Sequence, residues 1–159
     1  MSAVEDRLAE LGLSVPEVVP PVAAYVPALR DGRRIYTSGQ VPMRDGALAA
    51  TGKVGEGEGL VSAEQAKEMA QLCALNAIAA VKSVVGDLDR VAQVVKVVGF
   101  VASDPSFTGQ PGVINGASEL LGHAFGEAGT HARSAVGVAT LPLDAPVEVE
   151  IIVALAEDD

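Results

Sequence analysis

The chain predicts an α+β fold, a mixed β-sheet packed against two long helices in the order β-β-α-β-α-β-β. Three observations carry that expectation. Residues 91–102, 133–141 and 147–155 are Val-rich with polar residues interleaved, the pattern of half-buried strands. Residues 62–85 and 113–125 place apolar side chains at helical spacing. Pro, Gly and Asp-Gly punctuation separates these runs, and their alternation fits a layer of helices on one sheet.

From the N-terminus, residues 3–11 read as a short amphipathic helix. Val4, Leu8 and Leu11 share one face, and Gly12 ends it. Pro16, Pro20 and Pro21 make the next stretch extended, so residues 1–16 read as a helical extension and 17–159 as a single domain. Residues 22–29 read as a strand, Asp31-Gly32 as a hairpin turn and 33–38 as the returning strand. Pro42 and Asp45-Gly46 mark further turns. The Gly- and Glu-rich run 51–59 is expected to be a mobile loop. Ser62 and Gln65 have capping-box spacing at the head of the first long helix, which Gly86 follows. Pro111 and Gly112 precede the second. The acidic tail is expected to be solvated.

With 49% hydrophobic residues and 3% aromatics in 159 residues, the core is built from Val, Ala, Leu and Ile rather than rings. A mean hydropathy of +0.34 in so small a domain predicts that apolar surface is buried against other subunits. The net charge of −10 excludes an electrostatic footprint for nucleic acid, and an anionic membrane is an equally poor partner. A single cysteine excludes a disulfide framework and suits a reducing compartment, so the expected location is cytoplasmic. There is no phosphate-loop, HExxH or GxSxG pattern. His123 and His131 read as surface or packing histidines, and no metal ligand set is expected. Cys73, amid an apolar helix face, reads as an inert buried thiol.

What remains lies near the C-terminus. Arg133 opens an apolar strand, and Glu148 and Glu150 follow at period two, so they share a face. Paired as a hairpin, those two strands would let Glu148 approach Arg133. On the residues alone, Arg133 is either a strand-end cation or a planar fork for a carboxylate.

The run from Arg133-Ser134 through Leu141-Pro142 to Val147-Glu148-Val149-Glu150 resembles the C-terminal signature of the Rid (YjgF-type) reactive-intermediate deaminases. Residues 36–42, with Tyr25 before them, resemble that family's N-terminal signature. Residues 94–101, then Asp104 and Phe107, resemble its middle strand and exit, and Asn115 matches the asparagine that opens its second helix. The resemblance implies a chorismate-mutase-like homotrimer with a small-molecule site in each intersubunit cleft. It implies hydrolysis of 2-imino or enamine acids to 2-keto acids and ammonia, with no cofactor. Arg133 would then bind the substrate carboxylate, and Glu148 would position or deprotonate the water. Ser38 and Gly39 would line the cleft, Tyr25 would close it, and Asn115 would bind backbone or substrate. Ala135 stands where the family often has Cys, and its main-chain carbonyl would touch the water. The segment 107–113 is longer than in the commonest deaminases. The competing expectation is a non-catalytic small-carboxylate binding protein on the same trimer. Ribonuclease activity also attaches to the family, but the charge of −10 and five aromatic side chains weigh against it.

Overall fold

The computed structural model describes residues 1–21 and 23–157. Two layers form the molecule: a five-stranded sheet and, across one face of it, the helices. In chain order the elements are α1 (Ala3–Glu10), β1 (Ala28–Asp31), β2 (Arg34–Thr37), β3 (Met43–Arg44), β4 (Ala47–Leu48) and α2 (Ala63–Val85). β5 (Val91–Ala102), α3 (Gln110–Phe125), β6 (Ala132–Val138) and β7 (Val147–Leu155) complete the set. The sheet order is β1-β2-β7-β5-β6; β5 and β6 run parallel and the other pairs antiparallel. The α+β architecture is as expected, with α1 as a third helix.

Each element has a local cause. Ser2 caps α1: its side chain accepts from the Glu5 amide, and Glu5 reaches back to the Ser2 amide, closing a capping box. Asp89 receives the Ala3 and Val4 amides at 2.8 and 3.2 Å. The buried Val4 and Leu8 tie α1 into the main core. Ser62 accepts from the Gln65 amide, the first half of the expected box. Along β7 the odd residues Val147, Val149, Ile151 and Val153 are buried against the helices, while the even ones face away.

Four expectations change. The first strand is Ala28–Asp31 rather than 22–29: residues 23–27 are irregular, Pro27 lacks an amide, and Val22 lies outside the described residues. Gly32, at φ 60°, opens the two-residue turn that closes on the Asp31–Arg34 pair. The run 51–59 is pinned, because Val54 is fully buried and bridges both Val61 and Ser103. Helix α3 begins earlier, with Pro111 in its first turn, where a missing amide costs nothing. Finally, β6 and β7 do not form a hairpin, since β5 lies between them. The acidic tail begins with an exposed ion pair, Arg33–Glu157 at 2.9 Å; Asp158 and Asp159 lie outside the described residues.

Candidate functional site

The expected site residues fall into two groups. The first is built on β7 and the segment that follows β2. Gln40 exchanges both backbone hydrogen bonds with Val149, at 2.8 and 2.9 Å, stitching residues 38–40 onto β7. The buried Asn76 on α2 donates to the Val41 and Met43 carbonyls, at 3.2 and 3.0 Å, and fixes the next turn. Gly39 is thereby pressed against Glu148 so closely that a Cβ would collide with its carboxylate. Any larger residue there would have to push the Glu148 carboxylate aside. The Ser38 hydroxyl donates to the Val26 carbonyl at 2.6 Å, so it ties down the segment carrying Tyr25 and is not poised as a nucleophile. Tyr25 itself is exposed. Burial, and then the neighbouring charge of Glu150, push the Glu148 carboxyl above its usual range.

The second group lies along the seam between β6 and α3. Pro111, Asn115 and Ser118 stand at helical spacing on one stripe of α3. The Arg133 guanidinium donates through Nη1 to Asn115 Oδ1 at 2.8 Å and to Ser118 Oγ at 3.3 Å. Through Nη2 it donates to the Pro111 carbonyl at 3.3 Å. All three acceptors are neutral, and no carboxylate among the described residues lies within ion-pair distance of it. Among the described residues three of its five N–H donors meet an acceptor; the Nε–H and one Nη2–H do not. Asn115 therefore holds Arg133 and sits in the second turn of its helix rather than opening it. Ala135 shares Arg133's side of β6, and its methyl packs on the core.

The two groups do not meet within one chain. Arg133 pairs with Val97 on the helix-covered face of the sheet, whereas Glu148 pairs with Phe100 on the open face. Two strand spacings and three residues separate them, about 14 Å between Cα atoms from sheet geometry. A short connection between their strands made a hairpin look natural. It fails because Leu143 and Asp144, both at positive φ, turn the chain across the end of β5.

Three residues of the site were not anticipated: Ser118, His131 and Pro111. His131 joins Ser118 at 2.8 Å and the Gly129 carbonyl at 2.6 Å. It is thus neither a plain surface nor a plain packing histidine, and no local pattern foretells a contact between a helix residue and one 13 positions on. Pro111 contributes only its carbonyl. Cys73 is buried as expected, and burial pushes its thiol well above the ordinary range. Among the described residues no cluster of three His, Cys, Asp or Glu could hold a metal. A hollow of about 270 Å³ lies farther along the β6–α3 seam, lined by Phe107, Gln110 and Gly137 among others. A larger one, about 460 Å³, lies between α2 and α3 and contains none of the expected site residues.

Residues 5–155 match the family model described as "YjgF/chorismate_mutase-like, putative endoribonuclease". The protein TCP17 of Trypanosoma cruzi is 42% identical over 150 residues, covering 94% of this chain and 92% of its own. The crystal structure of Atu1372 from Agrobacterium tumefaciens, a protein of unknown function, is 44% identical. It matches with a TM-score of 0.89 over 97% of this chain and 93% of its own. A Shewanella oneidensis structure, described as a "putative endoribonuclease", is 33% identical, with a TM-score of 0.91 over 96% of this chain and 99% of its own. The chain belongs to the YjgF/chorismate-mutase-like family.

Proposed function

We propose that this protein hydrolyses reactive 2-imino or enamine acids to 2-keto acids and ammonia, in a cleft completed by a neighbouring copy in a homotrimer. The observation that carries the reading is Arg133: a guanidinium held in place by three neutral acceptors, with no carboxylate among the described residues at ion-pair distance and two donors that meet no acceptor among them. Two parallel donors and a full positive charge are what a small carboxylate takes. The second half of the chemistry needs a base. Glu148, with its proton affinity raised by burial and Glu150, suits it. Water adds to the imine carbon as Glu148 takes one of its protons and passes it to the imine nitrogen, giving a carbinolamine. The C–N bond then breaks as the new hydroxyl's proton passes, by way of Glu148, to that nitrogen, releasing ammonia and leaving the keto group. No cofactor enters this balance.

Because Arg133 and Glu148 of one chain lie on opposite faces, the reading needs more than one copy. The open face supports that requirement. Leu29, Tyr36 and Val136 are 60%, 39% and 44% exposed there, on β1, β2 and β6. Exposed apolar side chains of this kind favour burial against another copy. Light scattering should give a mass near three times 16.1 kDa; a monomer at micromolar concentration would end the shared-cleft reading.

The same separation favours a second reading, a non-catalytic binder of small carboxylates, which needs Arg133 alone. Imines generated in situ by an amino-acid oxidase separate the two. Faster ammonia release with this protein supports turnover. Binding of 2-ketobutyrate without acceleration supports the binder. RNA cleavage at a rate that survives repurification would overturn both, against the weight of a −10 charge.

A further inference from the structure

We propose that Ser118 and His131 are positioning residues that hold Arg133 in its carboxylate-binding orientation, an inference that rests on the carboxylate reading of Arg133 above. The chain of contacts is directional. The Gly129 carbonyl can only accept, so at 2.6 Å from it His131 Nδ1 carries the proton. In the neutral ring Nε2 is then an acceptor, and the Ser118 hydroxyl, 2.8 Å away, donates into it. With its proton so engaged, Ser118 Oγ turns its lone pairs to Arg133 Nη1 at 3.3 Å. Asn115 Oδ1 takes the other Nη1 proton at 2.8 Å. Without His131 the hydroxyl is free to rotate and point its own proton at the guanidinium.

The anchor at the far end of this chain is rigid. A Cβ on Gly129 would collide with the Leu121 carbonyl and the Gly122 Cα, so the 3-10 turn Gly126–Gly129 lies hard against α3. The carbonyl that fixes the His131 tautomer therefore cannot drift from the helix that carries Ser118 and Asn115. His131 also lies immediately before β6 and two residues before Arg133. The arrangement orients Arg133 without neutralising it. An aspartate in place of Ser118 would hold the guanidinium more firmly and cancel the charge that captures a carboxylate.

Calorimetric titration of 2-ketobutyrate into the full-length protein, with melting temperatures measured in parallel, tests this. Ser118→Ala and His131→Leu should each weaken binding about five- to tenfold, the worth of one hydrogen bond. Ser118→Ala should do so at unchanged melting temperature, because alanine suits a helix. His131→Gln, whose amide oxygen can take the Ser118 proton, should recover most of the affinity, which a packing role would not reproduce. If Ser118→Ala and His131→Leu bind as wild type while Arg133→Lys does not, the positioning role is wrong and the carboxylate reading stands. If Arg133→Lys binds as wild type, both fall.

Discussion

The two groups of the candidate site are built by opposite means. Around Glu148 the positions are set by backbone: Gln40 laddered to Val149, Asn76 on two carbonyls, and Gly39 with no room for a methyl. Around Arg133 they are set by side chains and one carbonyl of a single helix, at the sheet edge. The electrical designs differ as well. Glu148 is half-buried beside a like charge, which makes it hold a proton more tightly. Arg133 is left with its charge uncancelled. A base and an anion clamp want these opposite settings, and a sheet with one face covered and one open supplies both.

The comparison can be broken by exchanging one group at a time. Glu148→Gln removes the base and keeps the shape. On the proposed function kcat should fall about 10²- to 10⁴-fold, while affinity for 2-ketobutyrate stays within about twofold. Arg133→Lys keeps the charge and loses the fork, so affinity should fall roughly thirtyfold to a thousandfold, or about 2–4 kcal/mol, with the melting temperature unchanged. Steady-state kinetics and calorimetry on the same two variants check both. If both variants lose affinity equally, the groups are not separate in role.

A smaller effect tests the backbone-built side. Gly39→Ala places a methyl where the Glu148 carboxylate sits, so either the strand or the carboxylate must move. Overpacking of this kind costs about 1–3 kcal/mol. Chemical denaturation should show that loss. The double variant Gly39→Ala with Glu148→Ala should recover part of it, because the colliding group is gone. Equal stability of Gly39→Ala and wild type would mean that the Glu148 carboxylate swings aside at no cost and is not held by the segment 38–40.

The same contrast explains what the sequence could tell. Glu148 and Glu150 on one face followed from period two alone, and the resemblance singled out Arg133, Ser38 and Gly39. Their spatial grouping did not follow, because it depends on which strands are neighbours. The β5–α3–β6 crossover makes β6 a parallel partner of β5, and β7 pairs on β5's other edge, leaving β6 at the sheet edge. A Val-rich pair of strands with a Pro-containing link reads as a hairpin unless Leu143 and Asp144 are known to take positive φ. Likewise, composition made 51–59 look mobile, while the one apolar residue in it, Val54, decides the matter by burying itself between Val61 and Ser103. His131 was invisible for a related reason: its partner comes from another element.

The smallest expected effect concerns stability against pH, and it sets Glu148 beside Glu5. Folding moves the Glu148 carboxyl out of water and next to Glu150, so the folded chain holds that proton more tightly than the unfolded chain. Such a group stabilises the fold below its unfolded pKa and loses that contribution as pH rises through the higher folded value. At pH 7 the ionised carboxylate is therefore a net cost, and Glu148→Gln should melt above wild type there and coincide with it in acid. Glu5 has the reverse sign. Hydrogen bonding from Lys82, then from Ser2, brings its pKa from 4.5 down to about 2. Its contribution is present above the unfolded value and disappears as pH falls toward 2, so Glu5→Gln should melt below wild type at pH 7 and converge with it near pH 2. Thermal melts of the three proteins from pH 2 to 8 would show two curves departing from wild type in opposite directions. Glu148→Gln melting below wild type at pH 7 would mean that a cation reaches Glu148 in solution, and the base assigned to it would then have to be an ion-pair partner instead.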